Sequence, residues 1–201
     1  MNGDEYALDT PLLREFLAGV RAAIAEADSP EVACDAIRPR FAELLADDEW
    51  LPARFRESAA EGGMGGGIGT WLLFRAGDGS LSLVSLVVPP GAQTPIHDHL
   101  AWGLVGLYRG TQDEDVYAER DGGFELVERR ALGPGDFYAL LPPRDDIHRV
   151  RTTSAVDSVS IHLLTNDTGC VRRHAYDPET GSVRDFRSGY ANVPCAEDEI
   201  I

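Results

Sequence analysis

The chain has 201 residues, enough for one domain that buries a substantial core without disulfides or a structural metal. Its formal charge is -16, from 34 acidic against 18 basic side chains, which argues against a nucleic-acid surface and against binding to anionic membranes. No run approaches the ~18 apolar residues of a membrane span, and the acidic opening MNGDEYALDT lacks the apolar centre of a signal peptide.

Thr10 is placed to cap a helix that starts at Pro11, with Leu12, Leu13, Phe16, Leu17, Val20, Ala23 and Ile24 at helical spacing. Ser29-Pro30-Glu31 opens a second helix carrying Val32, Ala36, Phe41, Leu44 and Leu45, which Pro39 would break or kink. Residues 47–61 carry no clear period. The glycine-rich stretch 62–69 cannot hold a helix or strand cheaply, and reads either as a flap near a site or as a plain connection. From residue 70 the pattern turns to strands, at 70–75, 81–88, 95–108, 114–118, 124–131, 136–141, 148–151 and 156–164. Short turn-rich connections without intervening helices predict an all-β sandwich or barrel. Residues 170–201 read as one more hairpin and an acidic tail. The expected organisation is a helical segment over 1–61 packed on a barrel over 62–193, with a tail over 194–201.

The three cysteines, Cys34, Cys170 and Cys195, are an odd set without CxxC spacing. They predict no disulfide framework and a reducing cytoplasm. Cys34 lies on an apolar helix face and is expected in the core. The histidines are more informative. His97 and His99 stand two apart in an expected strand, so alternation sends both imidazoles to one side. His148 follows Leu140-Leu141-Pro142-Pro143 in a similar setting. Three imidazoles converging inside a barrel would form a metal site with open coordination positions.

Residues 91–110, with His97-x-His99 followed by Gly103 and Gly110, resemble the first cupin motif, with glycine where many cupins place a glutamate ligand. Pro143-x-Asp145-x2-His148 resembles the second, with aspartate at its usual glycine. Within that superfamily, Thr94 to His99, Ile147 to Val150 and Ser158 to Leu163 are similar to the thiol dioxygenases, the cysteine dioxygenase-like family. The resemblance covers roughly residues 70–165. It implies a mainly β fold, a double-stranded β-helix (jelly-roll barrel) behind an N-terminal α-helical segment. It also implies iron(II) on His97, His99 and His148, with O2 and a small molecule as substrates. Zinc, nickel or manganese would accept the same ligands, so the ligand set leaves redox and hydrolytic chemistry both open.

Alternation puts Ser160, His162 and Leu164 on one face. The family is similar there, with a Ser-His-Tyr relay, but Leu164 stands where the tyrosine would be. Ser160 and His162 remain as catalytic candidates, or as a core pair. The strand that carries a carboxylate-binding arginine in cysteine-using members has no basic residue here before Arg75, which weakens free cysteine as substrate. Trp71, Trp102 and Phe74 suggest a more apolar pocket, or plain core. In the run 170–177, Arg172 or Arg173 would bind an anion if the segment folds over the barrel mouth, and Tyr176 would then replace the lost hydroxyl. The expected reading is a cytoplasmic dioxygenase, monomer or homodimer, with no nucleic-acid or membrane partner. A non-redox metal cupin using His162 as base, and a ligand-binding cupin without activity, are its rivals.

Overall fold

Thr10 and Ser29 each accept a hydrogen bond from the backbone N–H three residues on, Leu13 N at 3.2 Å and Val32 N at 3.3 Å. Proline follows each cap, where its missing N–H costs nothing. These signals start α1 (Pro11–Glu26) and α2 (Pro30–Ala46) in the computed structural model, which describes residues 3–59, 64–120 and 123–195. Pro39 neither breaks nor ends α2. It lies on the exposed face, where the backbone bond it removes is left to water. The patternless stretch that follows forms a short turn of 3-10 helix at Ala53–Phe55 and buries Trp50, Leu51 and Phe55.

The described residues form twelve strands, of which the first lies outside the expected ones. They are β1 (Glu5–Tyr6), β2 (Gly69–Arg75), β3 (Ser82–Val88), β4 (Ile96–His97), β5 (Gly103–Arg109) and β6 (Gln112–Arg120), then β7 (Gly123–Leu132), β8 (Phe137–Leu140), β9 (Ile147–Thr152), β10 (Ser158–Leu164), β11 (Arg173–Asp177) and β12 (Ser182–Phe186). They form two six-stranded sheets, ordered β1-β2-β3-β10-β5-β8 and β12-β11-β4-β9-β6-β7, and every pairing is antiparallel. The fold is mainly β, two antiparallel sheets with two helices packed on the first of them.

The largest core lies between the helices and the first sheet. Leu13, Phe16 and Val20 of α1, and Ile37 and Phe41 of α2, meet Leu73, Leu83, Leu104, Ile161 and Leu163. Burying each such side chain is worth about 1.5–3 kcal/mol. Gly106 of β5 permits the close approach, since a Cβ there would come within 2.8 Å of Phe41 and Phe137. Cys34 is buried in this core, as expected, with its thiol 3.6 Å from the Gly103 carbonyl. Trp71, Trp102 and Phe74 also belong to this layer, so none of them shapes a barrel-mouth pocket.

Two expectations need correction. The expected strand 95–108 is two strands, β4 in one sheet and β5 in the other, with a corner over residues 98–102 where Leu100 takes a left-handed φ of 55°. The cysteines do pair: Cys170 is bonded to Cys195, with Cα atoms 5.3 Å apart, and Cys34 is the one left over. An odd count only guarantees one unpaired thiol. The cysteine argument for a reducing compartment therefore loses its premise.

The expected C-terminal hairpin is β11–β12. The chain then returns along β2, where Ala191 N donates to Thr70 O and the Asn192 amide makes two bonds to the Leu72 backbone. The acidic tail expected over 194–201 lies outside the described residues from 196 onward. Among the described residues no helix is long and apolar enough to cross a membrane.

Candidate metal centre

His97 ends β4, His99 stands two residues into the corner and His148 is on β9, paired across the sheet with His97. The strand alternation invoked for His97 and His99 does not apply, because His99 lies outside the strand. The corner turns its ring to the same side instead. Asp146 holds that corner, its carboxylate accepting from His99 N at 2.7 Å and Leu100 N at 3.4 Å. The three rings stand 4.7–4.9 Å apart by centroid, all but fully buried, with one ligand atom of each within 4.8 Å of the others.

The far side of each ring fixes its tautomer. His97 Nδ1 faces the Pro95 carbonyl at 2.9 Å, His99 Nδ1 the Asp146 carbonyl at 3.3 Å, and His148 Nδ1 the carboxylate of Glu114. All three partners are acceptors, so each Nδ1 carries the proton and each Nε2 keeps a lone pair. His148 Nε2 is buried without any partner, as a ligand atom awaiting a cation would be. Burial, then Arg173 for His97 and the neighbouring His148 for His99, holds both well below the ordinary histidine range, so both are neutral bases. A divalent cation fits this donor set, with coordination positions left open.

The fourth ligand that many cupins carry has no room at Gly103. An added Cβ there would overlap the Leu163 carbonyl oxygen, 2.9 Å from its carbon and 3.1 Å from Leu164 Cα. β5 lies too close to β10 at this pair for any side chain.

A small pocket opens beside His97 and His99, lined also by Met64, Thr70, Val84, Leu86, His162, Thr168, Arg173 and Ser188. Of the glycine-rich stretch, Gly62 and Gly63 lie outside the described residues, while Met64 reaches this pocket and Ile68 buries against Leu86 and Val88. Arg173 comes from β11, which adds to β4 through Ala175 opposite His97. It is 3% exposed and donates from Nη1 to Asp98 O at 2.6 Å and from Nη2 to Ser188 Oγ at 3.0 Å, with its guanidinium over the Phe186 ring. Its Nε has no partner, and neither does the buried Thr168 Oγ1. Burial lowers the guanidinium to about 10.

His162 Nε2 meets Ser160 Oγ at 3.0 Å, and burial lowers the imidazole to about 3. Leu164 packs with Ala101, Val105 and Leu140 and offers no hydroxyl. Tyr176 does not replace it. Its hydroxyl donates to Asp98 Oδ2 at 2.7 Å, and Asp98 also accepts from the His174 backbone and Nδ1, all on the far side of the corner. Arg172 is exposed, leaving Arg173 as the arginine of that run in the pocket. Arg75 is bound by Glu5 and Asp167, away from the metal pocket. Asp98, Asp146 and Glu114 were not singled out from sequence. Asp98 stands between two ligand histidines and Asp146 two residues before the third, which is the available signal.

Fold and site together define a two-sheet antiparallel β-barrel with three histidines grouped to hold a metal ion. No family model matches the chain. Similar solved structures include an oxalate oxidase, with 18% identity over 44% of this chain and 43% of that one, TM-score 0.38. Others are the oxalate decarboxylase of Lactobacillus farciminis in its formate complex (12%, 53% and 31%, TM-score 0.42) and a cupin 2 domain-containing protein from Halorhodospira halophila (19%, 50% and 61%, TM-score 0.37). The matched part spans less than half of the two oxalate enzymes. At such scores the likeness stops at the barrel and carries no argument about activity, metal or substrate.

Proposed function

We propose that this chain is a mononuclear iron(II) dioxygenase of the thiol dioxygenase kind, acting on a small thiol that carries an anionic group. The observation that supports it best is the buried Arg173 in one small pocket with His97 and His99. Bound iron(II) would supply a redox-active cation with room for a thiolate and O2 side by side. The overall conversion balances as RSH + O2 → RSO2H, with both oxygen atoms in the product.

This chain's own residues do the rest. Arg173 holds the substrate's carboxylate, with Thr168 Oγ1 at hand as a second polar partner. Met64, Val84 and Leu86 keep water from the apolar side. His162, neutral and tied to Ser160, is a hydrogen-bonding wall of the pocket. At about 3 it is too weak a base for the rival hydrolase or isomerase reading on zinc, nickel or manganese. Free cysteine is not favoured, because among the described residues no carboxylate lines the pocket to receive its ammonium group. Action in the cytoplasm, as monomer or homodimer, is part of the reading, with Cys170–Cys195 then open to reduction.

The test is anaerobic loading with iron(II), then oxygen-electrode assays with two- and three-carbon mercapto-carboxylates, uncharged thiols, cysteine and small diketones. One O2 consumed per mercapto-carboxylate, with sulfinate as product, is expected. No uptake by iron-loaded protein with any thiol sinks the proposal, and metal analysis of protein purified without added metal separates it from the non-redox reading.

A further inference from the structure

Behind His148, away from the substrate pocket, lies a polar cluster that the proposed reaction does not use. Glu114 of β6 is 1% exposed inside a barrel wall, flanked by Val105, Leu107, Leu132 and Val150. Its Oε1 accepts from His148 Nδ1 and from the Tyr138 hydroxyl, the latter at 2.5 Å. Its Oε2 faces Arg130 Nη1 at 3.7 Å, and neither atom has another partner. Arg130 is itself fixed by Glu128 and Asp145, both at 2.6 Å, and lies over the Tyr138 ring. Asp145 is the residue that departs from the second cupin motif. It takes the left-handed φ of 60° that a glycine would accept freely, and its carboxylate is what holds Arg130.

The three polar groups that reach Glu114, from His148, Tyr138 and Arg130, are all donors or cations, so they favour the carboxylate form and fix its position from three sides. His97 Nδ1 has only a backbone carbonyl against it. His99 Nδ1 faces the Asp146 carbonyl at 3.3 Å, with a carboxylate oxygen of the same residue at 3.4 Å that already accepts from the His99 backbone. His148 is the ligand whose Nδ1 bonds directly to a side-chain carboxylate. A carboxylate there makes the imidazole a stronger donor through Nε2 and places a full negative charge one residue away from the cation site. Gly103 cannot carry the glutamate ligand that would supply such a charge directly.

We infer that Glu114, held by Tyr138 and Arg130, is a positioning residue for the metal: acting through His148, it raises the site's affinity for a divalent cation and stabilises the higher oxidation state of bound iron. The inference rests on the three-histidine metal reading and is independent of the substrate.

The test uses the full chain stripped of metal. Cobalt(II) and iron(II) affinities are measured by chelator competition for the unmutated protein, Glu114→Gln, Glu114→Leu and Tyr138→Phe. Glutamine keeps an acceptor for the Nδ1 proton and removes only the charge. The expected order is a ~10-fold loss for Glu114→Gln and up to ~100-fold for Glu114→Leu, with a smaller loss for Tyr138→Phe. The Fe(III)/Fe(II) potential should rise in Glu114→Gln, a change that loosened packing alone would not give in that direction. A fold-independent check is the Nδ1 proton signal of His148 in zinc-loaded, unmutated protein, expected farther downfield than those of His97 and His99. Equal affinities and an unchanged potential in a folded Glu114→Gln overturn the inference, as does a His148 signal no farther downfield than the other two. Failure of the unmutated protein to bind either metal overturns it together with the metal reading; normal binding by that protein confines any failure to Glu114.

Discussion

Replacing Arg173 by methionine separates a binding role from a structural one. Burial pulls this guanidinium down to about 10, so holding it charged in the folded protein costs on the order of 3 kcal/mol, at about 1.4 kcal/mol per pH unit. Against that stand two hydrogen bonds, to Asp98 O and Ser188 Oγ, at about 1 kcal/mol each, and a stack on Phe186 worth about 0.5–1 kcal/mol. The two sides nearly cancel. Arg173→Met should therefore shift unfolding free energy in urea by no more than about 1 kcal/mol. Binding is different, because a carboxylate that loses its buried charged partner forfeits about 2 kcal/mol or more. That predicts at least a ~30-fold fall in kcat/KM for a mercapto-carboxylate, with less than a ~3-fold change for an uncharged thiol of the same length. Equal losses on both substrates, or a variant destabilised by about 3 kcal/mol, would refute the reasoning and make Arg173 a structural strut.

Gly103→Ala should cost about 3 kcal/mol or more, because the new methyl meets backbone of β10 that cannot step aside; a melting temperature lowered by less than about 3 °C would mean the strands can part. Cys170→Ser should lose up to ~3 kcal/mol, since the bridge closes a separation of 25 residues, and an unchanged urea midpoint under oxidising conditions would show that the bridge adds nothing. His162 titrates near 6.5 when unfolded and about 3 when folded, so the unfolded chain binds the extra proton and stability falls as pH drops below 6.5. Metal-free protein should lose about 2 kcal/mol from this residue alone between pH 6.5 and 5, with His97 and His99 adding in the same sense. A flat profile, or one that His162→Gln does not make shallower, counts against a buried neutral imidazole.

Local signals made much of this legible. Thr10-Pro11 and Ser29-Pro30 announce both helices, because a cap and a helix-compatible proline act within one turn of chain. Strand alternation on β10 correctly sends Ser160, His162 and Leu164 inward and Val159, Ile161 and Leu163 to the helices. The corner at 98–102 was not legible. Its stability comes from Asp146, 47 residues away in sequence from His99, and the apolar pattern runs across it without a break. The disulfide was hidden for a similar reason: Cys195 reaches Cys170 only because the last segment pairs with the edge of β2.

Glu114 shows how composition conceals a site. The string Gln112-Asp-Glu-Asp115 reads as a solvated acidic face. Asp113 and Asp115 pair with Arg151 and Arg149 on the outer side, Asp115 buried under its arginines, while Gln112 and Glu114 alternate inward. With Arg173 on the substrate side and Glu114 behind His148, the neutral imidazoles sit between a buried cation and a buried anion. In a chain of net charge -16 the surface repels small anions. A carboxylate substrate then needs a cation that water cannot screen, deep in the pocket, and a counter-charge on the opposite side so that the metal's own charge is not added to that of Arg173 unopposed. Arg173, which the sequence offered as an anion-binding candidate, and Glu114, which its acidic neighbours concealed, are thus the two residues that set the direction of the field across the site.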